Sequence, residues 1–347
     1  MRQARQAGIG EWAACRKGGI SSGAKLVKLA VCYTERAVFI HRIAGDFDRP
    51  GNDCYEGDRN THDEECDQHL NHGESTSFIC ANHFKSIASP SAGGFVILHT
   101  MLIVANWKAY VEERAKAKKL FALGKRLAQT TGSTIVLAPP APLLGALAVR
   151  NKSTVAFAAQ DVSATTGGAA TGEITAQAYV AAGATHAIVG HSERRAAGDT
   201  DAIVAEKLAR ALAHGLTPIL CVGERERDGE GRYLALVREE LTHAIESLAL
   251  KERAKVIIAY EPLWAIGRTA ENAIGPNDLA EMVLYIRKVL AELLPGKSSL
   301  HSLVLYGGSV EPDNIRDLAA SSDVDGFLIG HASIDPHTFT QLVRQLS

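Results

Sequence analysis

The sequence predicts an α/β protein whose main body is a single closed (β/α)₈ barrel, preceded by a poorly structured N-terminal extension. Eight short runs of β-branched and small apolar residues follow Met101, and longer stretches with helical periodicity separate them. The segment from Met101 to Ser347 also has the length of about 250 residues that one such barrel needs. A doubly wound open sheet is the alternative, but no dinucleotide glycine fingerprint follows the first run.

The eight predicted strands are apolar on both faces, which is typical of buried parallel strands joined by right-handed crossovers. In chain order they are LIVAN (102–106), TIVLA (134–138), VAFAAQ (155–160), HAIVG (186–190), TPILCVG (217–223), KVIIAYE (255–261), SLVLYGG (302–308) and DGFLIG (325–330). The stretch NDLAEMVLYIRKVLAELL (277–294) exemplifies the helices between them, because its apolar residues recur at helical spacing.

Residues 1–100 have a different composition and form a separate predicted region from residues 101–347. They are polar and rich in Asp, Glu, His, Asn and Gly, and the one apolar stretch, 24–43, fits either a helix or a strand pair. The pairs Cys66/His69 and Cys80/His83 have zinc-type spacing and allow a small metal module. We favour the other interpretation, a disordered tail or an over-extended start without a role in catalysis.

Composition excludes several classes of function. The net charge of −2 argues against a general surface for nucleic acid or anionic membrane, and no apolar run is long enough to span a bilayer. The N-terminus lacks the apolar segment of a secretory signal. Since Cys221 is the one cysteine beyond the first hundred residues, the main body is expected to be reduced and cytoplasmic.

In a barrel of this kind the site lies at the carboxyl ends of the strands. Asn106 and Lys108 end the first strand, two apart as strand alternation requires, and offer a hydrogen-bond donor and a cation for an anionic substrate. A solvated lysine beside a capping asparagine explains them equally well.

His191 and Glu193 end the fourth strand, just before the predicted start of a helix. The free amides of that helix start favour a neutral imidazole at His191. Glu193 is either a site residue or an ordinary acid in the first turn of the helix.

Glu261 ends the sixth strand, and burial in an apolar barrel mouth suits a carboxylate for general-base chemistry. A salt-bridged structural acid is the alternative.

The seventh and eighth strands end in glycine-rich turns, with Ser309 in one and Gly330 in the other, and both turns run into helix starts. Such turns let backbone amides approach a phosphate closely.

Together these residues resemble the triosephosphate isomerase family. The matching signatures are ANWK, GATHAIVGHSERR, CVGE, AYEPLWAIG, YGGSV and GFLIG, in the family's order and near its spacing, and they cover residues 101–347. The resemblance implies a TIM barrel that interconverts dihydroxyacetone phosphate and glyceraldehyde 3-phosphate in glycolysis and gluconeogenesis, without cofactor or metal. A catalytically weak or silent phosphate-binding barrel is the alternative function.

The resemblance also implies roles for individual residues, which are the family's established roles. Glu261 is the base, His191 the neutral electrophile, and Lys108 the positive charge beside Asn106, with Glu193 in the same catalytic group.

Gly267, Ser309, Gly330 and His331 are expected to hold the phosphate. His331 stands where the family has a second glycine, and its amide can still donate if its φ is negative. Ala109-Tyr110 and Arg268-Thr269 likewise replace the family's usual Met-Asn and Thr-Gly.

The resemblance further predicts a homodimer, because AQDVSATTGGAATGEIT (159–175) is similar to the family's long third loop, which reaches into a second subunit. Thr171 would approach Asn106 and Lys108 of that subunit, and Glu173 would pair with Arg194 across the interface.

Overall fold

A computed structural model describes residues 100–267, 273–294 and 302–347, together with four strands in the first hundred residues. The chain divides into two units between Ile79 and Cys80. In the first unit, β1 (Lys28–Thr34) and β2 (Ala37–Ile43) form an antiparallel pair, so the strand-pair interpretation of 24–43 is the right one. In the second, β3 (Ile87–Ser91) pairs with β4 (Gly94–Leu98). This pair was not predicted, since Pro90 argues against a strand.

The predicted (β/α)₈ barrel is confirmed. Eight parallel strands follow one another around a closed sheet, and the last pairs with the first. They are β5 (Leu102–Asn106), β6 (Thr134–Ala138), β7 (Ala156–Ala159), β8 (His186–Val189), β9 (Thr217–Val222), β10 (Ile257–Tyr260), β11 (Val304–Tyr306) and β12 (Gly326–Ile329). All eight fall within the predicted runs, and most are shorter at the carboxyl end because those residues turn out of the ladder into the site.

Alternation along each strand divides the core into two layers. In β5, Leu102 and Val104 point into the barrel, whereas Ile103 and Ala105 point toward the surrounding helices. The buried apolar interior consists of Leu102, Val104, Val136, Ala138, Ala158, Ile188, Ile219, Cys221, Ile257, Ala259, Leu305 and Leu328. The barrel is therefore a packed core, and a ligand is confined to its open end.

Helices cover the outside of the barrel with their apolar faces. They are α1 (Arg114–Thr131), α2 (Ala141–Ala148), α3 (Ala176–Ala181), α4 (Ser192–Ala196), α5 (Asp201–Ala213), α6 (Arg232–Ile245), α7 (Leu250–Arg253), α8 (Pro276–Leu293), α9 (Ile315–Ser322) and α10 (Pro336–Gln345). Side-chain caps fix several starts: the Thr200 hydroxyl accepts from Ile203 N at α5, and the Asp335 carboxylate accepts from Thr338 N at α10. Within the described part of the chain, no helix has the length and apolarity to cross a membrane.

Candidate active site

A cavity of about 460 Å³ lies at the carboxyl ends of the strands. The structure brings every predicted catalytic and substrate-binding residue to its wall: Asn106, Lys108, His191, Glu193, Glu261, Gly267, Ser309, Gly330 and His331. These residues come from five different strand ends, as the barrel rule requires. Their convergence makes this cavity the candidate active site.

Glu261 and His191 face one another in the buried part of the cavity. Glu261 Oε1 lies 3.3 Å from His191 Nε2, and the two side chains are 3% and 8% exposed. The other carboxylate oxygen of Glu261 accepts a hydrogen bond from Ser192 N at 3.2 Å. The carboxylate is thus held beside the ring rather than paired with a lysine or arginine, unlike a salt-bridged structural acid.

The hydrogen bonds of His191 define its tautomer. His191 is the N-cap of α4, and its Nδ1 accepts a hydrogen bond from Glu193 N at 3.1 Å. A backbone N–H can only donate, so Nδ1 carries a lone pair and the proton of the neutral ring lies on Nε2. His191 therefore points an N–H donor toward the cavity and Glu261, as the helix-start argument predicts.

Lys108 reaches the cavity by a route that strand alternation does not describe. β5 ends at Asn106, and Lys108 has a left-handed backbone with φ 48°. Asn106 Oδ1 accepts from Lys108 N at 3.0 Å, and Gln160 Nε2 donates to the Lys108 carbonyl at 2.9 Å. These two bonds stabilise a backbone conformation that is costly for a residue with a β-carbon. Both side chains line the cavity, but strand alternation does not explain this arrangement, because the strand ends before Lys108.

Glu193 forms an ion pair with Lys108. Lys108 Nζ lies 2.7 Å from Glu193 Oε1, and the lysine side chain is the more buried of the two. Partial burial acts to raise the pKa of Glu193, but the hydrogen bond and charge of Lys108 outweigh it and lower the pKa below its ordinary value. Glu193 therefore does more than interact favourably with the dipole of α4, because its carboxylate also holds the ammonium group of Lys108 in position.

Glycine-rich turns form the opposite wall of the cavity, where the sequence predicts phosphate binding. Gly267 has a positive φ of 69°, which suits a glycine. His331 follows Gly330 and begins a short 3₁₀ helix. Among the described residues other than glycine, positive φ occurs at Lys108 and Asp323, so the His331 side chain is accommodated without left-handed strain.

Two neighbouring glycines leave room for Glu261. A β-carbon on Gly223 would lie 2.0 Å from the Glu261 carbonyl oxygen, and one on Gly307 would lie 2.8 Å from Glu261 Cγ. Cys221 is buried behind the same carboxylate, and burial together with the charge of Glu261 raises the pKa of its thiol well above the ordinary value. The space around the carboxylate is therefore bounded on several sides.

A second buried acid holds the segment that follows Glu261. Glu224, 1% exposed, accepts hydrogen bonds from Tyr260 Oη, Trp264 Nε1 and Arg227 Nε at 2.8, 2.8 and 3.2 Å. Glu224 belongs to the signature CVGE, but no sequence pattern predicts a role for it. Gln160 is a further site residue that was not predicted, although it ends a predicted strand and the strand-end rule points to it.

The proposed interface residues lie away from the cavity wall. Thr171 and Glu173 are exposed in the loop after β7. Arg194 Nε binds Asp161 Oδ2 at 2.9 Å within the same chain. Arg194 thus has an internal partner, and its pairing with Glu173 of a second copy stays a prediction.

Some predictions fall outside the described residues. Arg268 and Thr269 are among them, and so are the possible zinc ligands Cys66, His69, Cys80 and His83. Within the part of the chain that the structure describes, no three His, Cys, Asp or Glu side chains come together as a metal site would require.

Comparisons with known proteins match the same segment of the chain. The family model described as triosephosphate isomerase matches residues 101–346. The triosephosphate isomerase of Thermus thermophilus is 41% identical over 250 residues, which cover 71% of this chain and 99% of that protein. Those of Ralstonia nicotianae and Symbiobacterium thermophilum are 42% and 38% identical, covering 70% and 71% of this chain and 97% and 96% of the relatives.

Proposed function

The chain belongs to the triosephosphate isomerase family and is an isomerase that interconverts dihydroxyacetone phosphate and D-glyceraldehyde 3-phosphate, and we propose that Glu261 and His191 carry its proton transfers. The observation that supports this assignment best is their approach of 3.3 Å in the buried part of the cavity. The relatives do not favour a silent phosphate-binding barrel, because each is a triosephosphate isomerase by name.

In the proposed reaction Glu261 takes a proton from the substrate carbon beside the carbonyl group. The Nε2–H of His191 donates to the carbonyl oxygen as negative charge develops there. Glu261 then returns the proton to the neighbouring carbon, while the hydroxyl proton of the first carbon passes to the former carbonyl oxygen, so a new carbonyl group forms and the carboxylate is regenerated.

Lys108 is proposed to stabilise the enediolate through its positive charge, with Asn106 beside it. Its ion pair with Glu193 supports this role, since a hydrogen-bonded ammonium group keeps a fixed position at the cavity wall.

Gly267, Ser309, Gly330 and His331 are proposed to bind the substrate phosphate through the turns after β10, β11 and β12.

A coupled assay with glyceraldehyde 3-phosphate tests the assignment of the base. Glu261→Asp withdraws the carboxylate by one methylene group and is expected to lower kcat at least about 100-fold, since misplacement by about 1 Å costs that much. Glu239→Asp, an exposed acid on α6, is the matched control and is expected to retain parental kcat. Equal kcat in both variants would contradict the proposal.

We also propose that the protein is a homodimer. The loop after β7 supports this, because residues 165–169 and 171–174 are exposed and include Ile174, an apolar side chain that is 40% exposed. Light scattering is expected to give twice the mass of the chain, and Thr171→Arg is expected to weaken the association. An active protein with the mass of one chain at assay concentration would refute the dimer.

The catalytic unit is proposed to be residues 101–347, acting in the cytoplasm in glycolysis and gluconeogenesis. The extent of the family match supports this boundary, because about 70% of the chain covers nearly the whole length of each relative. A protein trimmed before Met101 is expected to retain kcat and KM. A trimmed protein that is folded but inactive would assign residues 1–100 a role in the reaction.

A further inference from the structure

Two departures from the family pattern meet at one edge of the cavity. Tyr110 and His331 replace the family's usual Asn and Gly, and their rings form an edge-to-face pair with centroids 5.4 Å apart and an interplanar angle of 84°. Both residues line the cavity that holds Lys108, His191 and Glu261. Aromatic pairs prefer this geometry, so the contact orients both rings.

Both members of the pair arise from hydrogen-bonded turns. Tyr110 N donates to the Trp107 carbonyl at 3.1 Å, directly beside the fixed backbone of Lys108. On the other side, Ser333 donates to the Gly330 carbonyl through its backbone N at 2.9 Å and its hydroxyl at 2.7 Å. The imidazole of His331 is therefore held at the cavity edge by the turn from Gly330 to Ser333 and by the ring of Tyr110.

The charges around the cavity leave a role for this imidazole. Of the described residues that line the cavity, Lys108 is the only lysine or arginine, and Glu193 already neutralises it at 2.7 Å. His191 Nδ1 accepts a hydrogen bond from Glu193 N, so that atom offers no donor to a phosphate. A phosphate dianion entering this cavity would gain from a further cation, and histidine is the side chain whose charge changes in the physiological pH range.

We propose that His331, oriented by Tyr110, is an additional specificity-determining residue that binds the substrate phosphate as an imidazolium, so that affinity for the phosphate group falls as His331 loses its proton. The proposal rests on the phosphate turns assigned above and adds a side chain to their backbone amides. The chemical step is unaffected, because His331 acts on the phosphate and not on the reacting carbons.

Several ionisable groups contribute to the field at this edge. Lys108 and the Tyr110 phenol lie on the loop after β5, and Glu193 and Glu311 lie on α4 and on the turn after β11. His191 and Glu261 line the same cavity. Asp335 and His337 follow His331 in the chain. Comparison with an uncharged isostere isolates the contribution of His331 from these groups and from the titration of the substrate.

The test measures competitive inhibition by inorganic phosphate, together with kcat and KM, at about pH 6 and about pH 8 in His331→Gln. At the lower pH the variant is expected to bind phosphate about threefold more weakly than the parent, the size of one partly exposed ion pair, and at the higher pH equally well. His337→Gln, an exposed histidine in the same segment, is the matched control and is expected to match the parent.

Further variants separate charge from structure. Tyr110→Phe keeps the ring and is expected to preserve the pH dependence, whereas Tyr110→Ala is expected to reduce it. His331→Gly restores the family's residue and is expected to match His331→Gln at the lower pH.

A loss of affinity that is equal at both pH values, or parental affinity in His331→Gly at about pH 6, would overturn the proposal. An inactive parent would instead contradict the assigned activity, and calorimetric binding of inorganic phosphate would still decide the role of His331.

Discussion

Gly307 controls the position of the proposed base, and Gly307→Ala tests that control. The new β-carbon would lie 2.8 Å from Glu261 Cγ and 3.4 Å from its Oε1. Gly307 lacks a positive φ, so alanine can adopt its backbone conformation, and its amide already donates to the Tyr260 carbonyl at 2.8 Å. The expected strain therefore falls on the Glu261 side chain.

The size of the effect follows from the contact. Ordinary van der Waals contact begins at 3.4 Å, so Glu261 Cγ has to move by about 0.6 Å. Misplacement of a catalytic group by about 1 Å costs about 100-fold, and a shift of this size is expected to lower kcat by about 10-fold to 100-fold. This equals about 1.4 to 2.7 kcal/mol of barrier. KM is expected to change little, because the proposed phosphate ligands stay in place.

The coupled isomerase assay gives both constants, and a thermal melt reports on folding. Gly229→Ala is the matched control, because its β-carbon would have no heavy atom within 4 Å and its φ is not positive. A Gly307→Ala protein with parental kcat would refute the reasoning. So would a rise in KM at constant kcat, which would assign the turn to substrate binding alone.

Two further predictions concern buried ionisable groups. Glu224→Gln removes the negative charge beside Arg227 and weakens the hydrogen bonds that Tyr260 and Trp264 donate to the carboxylate, and is expected to cost about 2 kcal/mol of unfolding free energy, measured by urea titration against Glu239→Gln. Burial lowers the pKa of His186 to about 4 in the folded protein. Below about pH 6.5 the unfolded chain therefore binds more protons than the folded protein, and stability is lost as the pH falls from about 6.5 to about 4. His186→Asn is expected to abolish about 2 kcal/mol of this loss between about pH 7.5 and 4.5, seen by comparing denaturant midpoints at constant protein concentration. Parental pH dependence in His186→Asn, or parental stability in Glu224→Gln, would contradict the respective prediction.

The barrel could be predicted from the sequence because its signal is repeated. Eight buried runs alternate with helical periods, and each element supports the same closed topology. The pair β3–β4 could not be predicted, because a short strand that contains Pro90 has no repeated pattern to support it.

For the candidate site, the sequence predicted which residues meet but not how they are oriented. The strand-end rule locates Glu261 and His191, whereas the left-handed backbone of Lys108 depends on Gln160, which lies 52 residues away. Likewise, Glu224 acquires its partners from three different positions that only the closed barrel brings together. Orientation depends on contacts that are distant in sequence, and a local pattern does not contain them.

The two sides of the cavity differ in how tightly their geometry is fixed. Glu261 is bounded by the Gly307 turn, the Gly223 turn and the Ser192 amide, so a β-carbon on either neighbouring glycine would lie closer than any ordinary contact. At Gly330, by contrast, the nearest atom to an added β-carbon is Lys108 Cε at 3.5 Å, an ordinary distance to a flexible side chain. A side chain beside Gly330 can therefore be accommodated without moving the base, and this is the edge where the sequence departs from its family with Tyr110 and His331. A change at this edge is expected to alter KM, whereas a change around Glu261 is expected to alter kcat.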